Sequence, residues 1–69
     1  MRNLSEQYFL QKCIISAEDA KGSYFMMANL DVEYQAKQTY ENMVTDIEKH
    51  IHDLDGRLKY LKERNQMEQ

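Results

Sequence analysis

The chain contains no proline and only two glycines, Gly22 and Gly56. So few helix breakers exclude a many-turned β fold and favour long helices. There is one cysteine, Cys13, so a disulfide within the chain is excluded. On an apolar helix face this thiol is expected as a buried small hydrophobe in a reducing compartment, not as a redox or catalytic group. No stretch approaches the roughly 18 uncharged apolar residues of a membrane span. The polar opening MRNLSEQYFLQKC has no apolar run suited to a signal peptide. The expectation is a cytoplasmic chain with no transmembrane segment. A basic surplus is also missing: the formal net charge is −3, which argues against nucleic acid as the main partner.

At 69 residues the chain makes at most one small domain, and a core of that size barely offsets the entropy of ordering it. With disulfides excluded, association is the simplest remaining support. Charge is uneven along the sequence. Residues 1–55 sum to −5, whereas Arg57, Lys59, Lys62 and Arg64 make residues 56–69 net +2. A basic cluster near a helix end reads as a solvated face that suits the negative end of the helix dipole.

What the sequence does have is helical periodicity. Tyr40, Val44, Ile47, Ile51, Leu54, Leu58 and Leu61 follow at spacings of 4, 3, 4, 3, 4 and 3. This is an apolar seam held for three heptads, which a strand with its two-residue repeat could not use. In the first half Leu10, Cys13, Ala17, Ala20, Tyr24 and Met27 keep the 3–4 rhythm, and Ile14 and Ala28 widen the stripe. Ile15, Phe25 and Met26 fall outside it and suggest that this helix is covered on a second side. The spacing predicts helix 1 from about 4 to 28, a turn at 29–31, and helix 2 from about 32 to 64. Asn3 or Ser5 would cap the first helix and Asp31 the second, with Asn29 in the turn between them. Gly56 marks a possible kink in a helix expected to be continuous, because the leucine rhythm passes through it. Four i,i+4 charge pairs, among them Asp53 with Arg57, mark the wet side of helix 2.

The segment HIHDLDG, residues 50–56, raises the question of a metal. On a helix His50 and His52 stand about 200° apart and cannot share an ion. The zincin, di-iron and EF-hand spacings are all absent: Glu48 meets Ile51 at i+3, and the EF-hand glutamate position is Lys62. There is no glycine-rich phosphate loop and no nucleophile elbow. The cluster SYFMM at 23–27 reads as core packing ahead of an adaptable binding surface. Neither cofactor nor metal nor catalysis is expected.

The stretch AKQTYENMVTDIEKHIHDLDGRL, residues 36–58, resembles a small family of uncharacterised helical domains found in spore-forming Firmicutes. That family's pattern opens on Ala-Lys-Gln-x-Tyr and closes on Leu-acidic-Pro-Arg. Ala36, Lys37, Gln38, Tyr40, Ile51, Leu54 and Arg57 fall on it without a gap, and Ala20 and Ala28 fall on its small-residue positions upstream. Gly56 stands where the family commonly has proline, and KERNQMEQ replaces its Glu/Pro/Tyr-rich tail. The resemblance implies a role in spore formation or germination, near dipicolinic-acid channel genes or fused to membrane proteins. It brings no catalytic residues.

The sequence therefore predicts an all-α protein, an antiparallel helical hairpin dimerising into a four-helix bundle. Its expected role is a non-enzymatic structural or protein-interaction module that self-associates through Leu10, Cys13, Ile14, Ala17, Ala20, Tyr24 and Met27 of helix 1. Helix 2 contributes Tyr40, Val44, Ile47, Ile51, Leu54, Leu58 and Leu61. The alternative is a small phage-type or regulatory inhibitor of one protein target. A metal- or ligand-binding bundle carries the least weight.

Overall fold

A computed structural model describes residues 4–30 and 33–67. Two helices account for nearly all of them: α1, Leu4–Ala28, and α2, Tyr34–Met67. They pack on each other as an antiparallel hairpin 54 Å long and 15 by 11 Å across. The radius of gyration is 16.0 Å, against about 11 Å for a compact domain of this length. The molecule is a two-helix rod, and its core is one seam.

That seam is assembled by heptad spacing on both helices. From α2 it receives Ala36, Tyr40, Val44, Ile47, Ile51, Leu54, Leu58, Leu61 and Asn65, all buried or half-buried between exposed neighbours. From α1 it receives Gln7, Leu10, Ile14, Ala17, Lys21, Tyr24 and Ala28, again at alternating steps of 3 and 4. Burial is shallow. Among the described residues only Ala17, Ala28 and Leu61 are buried apolar side chains, and no large side chain is fully buried.

Asn29 ends α1 with its own side chain. Its backbone N–H donates to the carbonyls of Phe25 and Met26, and its Nδ2 donates to the Phe25 carbonyl at 2.9 Å. Carbonyls left open at a helix end are thereby satisfied. α2 starts later than its periodicity suggested, at Tyr34, with the Glu33 carbonyl accepting from the Lys37 N–H at 3.0 Å. It also runs on to Met67, because Asn65 continues the seam for one more turn. Asp31 and Asn3, proposed as caps, lie outside the described residues, and Ser5 sits inside α1. α2 passes through Gly56 without a break.

The surplus length of α2 lies at the turn. Ala28 and Asn29 share a cleft with Glu41, Val44 and Thr45, so about the first two turns of α2 extend past the end of α1. Tyr34 there is 75% exposed. At the other end Asn65 bonds Gln7, which sets the basic C-terminal turns beside the start of α1. No helix of the described residues is long and apolar enough to cross a membrane.

Candidate interaction surface

Polar pairs pin the two helices at three levels. At the open end the Nδ2 of Asn65, a buried residue, donates to the Oε1 of Gln7 at 2.8 Å. From two turns further in on α2, Arg57 reaches back to Glu6, the neighbour of Gln7, with two parallel bonds, Nε to Oε2 at 2.7 Å and Nη2 to Oε1 at 3.1 Å. This two-pronged geometry is the strong form of a carboxylate pair. Hydrogen bonding and charge from Arg57 hold the Glu6 carboxyl below the ordinary carboxylate range, and the carboxylate raises Arg57 in return. The sequence had matched Arg57 with Asp53 on its own helix; the structure sends it across the hairpin instead. Toward the turn, Lys21 occupies a seam position, lines an open groove with Phe25 and Ile51, and pairs its ammonium with Glu48 at 3.2 Å.

The structure divides the expected self-association residues into two sets. All seven from α2, together with Leu10, Ile14, Ala17 and Tyr24, lie in the seam within one hairpin. Ala20 and Met27 are half-buried on its flank. Cys13 is a correction: it is exposed, not buried. It lines an open groove with Phe9, Lys12, Ser16 and Ala17 of α1 and with Ile47 and His50 of α2. The physical reason is rotational. The seam runs through Ile14, and the residue before it is turned about 100° away. Gln7, Lys21 and Asn65 are seam positions that an apolar pattern could not find, because they are polar.

The unpaired apolar surface is concentrated on α1. Leu4, Tyr8, Phe9, Ile15, Phe25 and Met26 are all exposed there, whereas the long α2 exposes Tyr34, Met43 and Tyr60. A helix with apolar side chains around most of its circumference is normally covered on more than one side. Here α2 covers one side only. Among the described residues, no three His, Cys, Asp or Glu side chains converge as metal ligands. His50 borders the groove and His52 is exposed. No family model, curated protein or solved structure matches the chain.

Proposed function

We propose that this chain is a non-enzymatic structural or protein-interaction module, a hairpin that completes its apolar cover by associating with a second copy of itself. The observation that carries this reading is the imbalance on α1. Six large apolar side chains face water along it, while the seam beneath contains no fully buried large side chain. A hairpin of this size gains little from one shallow seam, and a second copy supplies apolar surface of the same chemistry without a second gene product. The reading extends to a setting in spore formation or germination, which is supported by the resemblance of residues 36–58 to the sporulation-associated helical family. Neighbouring sporulation genes in the source genome would support that part, and neighbouring phage genes would count against it. Association itself is tested by light scattering coupled to gel filtration. The expected result is a mass of twice 8.3 kDa with thermal stability that rises with chain concentration. A well-folded monomer at all accessible concentrations would overturn the proposal.

A further inference from the structure

Leu4, Ile15 and Met26 are spaced eleven residues apart, three helical turns with a drift of only about 20° per step. They form a straight row on α1, roughly 130° around the helix from the seam, and are 54%, 61% and 69% exposed. Tyr8, also exposed, and Gly22 fall on the same row. Nothing lies within 4 Å of the place where a Cβ on Gly22 would stand, so packing within the hairpin does not require a glycine there. A mid-helix glycine costs stability, and here it leaves a gap in an otherwise bulky row.

The row is self-complementary about Ile15. If two α1 helices run antiparallel with Ile15 on the two-fold axis, Leu4 of each copy comes level with Met26 of the other. Tyr8, the bulkiest member, comes level with Gly22, the gap. The flanks match as well. Lys12 and Asp19 border one side of the row, and Gln11 and Glu18 border the other, all four exposed. A two-fold axis perpendicular to the helices keeps each flank on its own side. Lys12 is thereby placed beside Asp19 of the second copy and Gln11 beside Glu18, each pair occurring twice. A parallel pairing would instead set tyrosine on tyrosine, gap on gap, and Asp19 near Glu18. That arrangement opposes like charges.

From this register we infer that the second copy docks on the Leu4–Ile15–Met26 face, antiparallel and centred on Ile15, with Tyr8 entering the space left by Gly22. The inference rests on the self-association reading and makes it specific. It places the two α1 helices at the centre and each α2 outside, in the order α2–α1–α1–α2, in contrast to the closed four-helix bundle expected from the sequence.

Two experiments test it. Ile15→Glu changes an exposed side chain, so the hairpin should keep its helical circular dichroism while its mass falls by half, to 8.3 kDa. In a Cys13→Ser background, Tyr8→Cys and Gly22→Cys chains should form a disulfide-linked dimer under oxidation only when mixed and exchanged. Neither should link with itself. A wild-type dimer that survives Ile15→Glu, or that links Tyr8→Cys to itself, overturns this face and register while leaving self-association standing. A wild-type monomer overturns both readings.

Discussion

Replacing Leu61 by alanine tests where the stability of the hairpin resides. Leu61 is 3% exposed and, among the described residues, is the only large apolar side chain of the buried ones; the other two are alanines. The substitution removes three carbons, about 0.8 kcal/mol each in transfer free energy. A cavity penalty adds to this, and partial collapse offsets it because the site lies near a helix end. The expected loss is about 2–3 kcal/mol, a large share of the stability of so small a chain. Urea unfolding followed by far-ultraviolet circular dichroism, at several chain concentrations, measures it. The control is Ile15→Ala, which should cost under about 0.5 kcal/mol in dilute chain, where the hairpin stands alone, and more as concentration rises. Equal costs for the two variants in dilute chain would refute the placement of the seam.

Three further outcomes are expected. Gly56→Ala should stabilise the protein by up to about 1 kcal/mol, because α2 is continuous there and a Cβ meets nothing within 4 Å; a loss of stability in the same unfolding assay would mean that the glycine relieves a bend. Asn65→Leu should cost about 1–3 kcal/mol by stranding the Gln7 amide, whereas Asn65→Leu with Gln7→Leu should be nearly neutral; a double variant as weak as the single one would show that the 2.8 Å bond is not what holds this end. The depressed Glu6 carboxyl binds fewer protons folded than unfolded, so its contribution is present above its unfolded pKa and fades as pH falls through the lower folded value. Denaturation midpoints of wild type and Glu6→Gln should therefore converge in acid and separate near neutrality, and parallel curves across that range would remove Arg57 as the cause.

The two helices differ in how much of their packing the sequence discloses. α2 could be read almost to the residue, because seven apolar side chains alternate at steps of 4 and 3 with charged residues between them. Ala36 at the turn end and the polar Asn65 at the open end escaped the pattern. α1 carries apolar residues on most sides, so the seam and the outer row overlap in sequence and several stripes of similar rhythm fit. Cys13, Ala20 and Met27 stand one residue before the true seam members Ile14, Lys21 and Ala28. At each of those steps the expected stripe was rotated by about 100°. A lysine at one of the seam positions, Lys21, hid the correct choice, since its apolar stem cannot be separated from its charge in a hydropathy pattern. The bond between Glu6 and Arg57 spans 51 positions and follows from hairpin register, which no local signal reports.

The apolar and polar parts of the interface have separate physical tasks. A heptad seam attracts without strong preference for register, because sliding one helix by seven residues again sets apolar rows against each other. Such a slip in one direction brings Arg64 to Glu6 and Asp55 to Lys21, and in the other His50 and Glu41, so both charge pairs find substitutes. Asn65 does not, since it meets Ile14 in one direction and passes the start of α1 in the other. The exposed charge pairs add little to stability on their own. The buried asparagine, which loses its Gln7 partner in either direction, selects one alignment among several of similar apolar burial. The alignment chosen sets Leu61 over the start of α1, while the rotation of about 130° from the seam leaves the Leu4–Ile15–Met26 row clear of α2. A hairpin held in that register presents a straight apolar row with a gap at Gly22, and sliding α2 would move its side chains without altering the spacing on which the row depends.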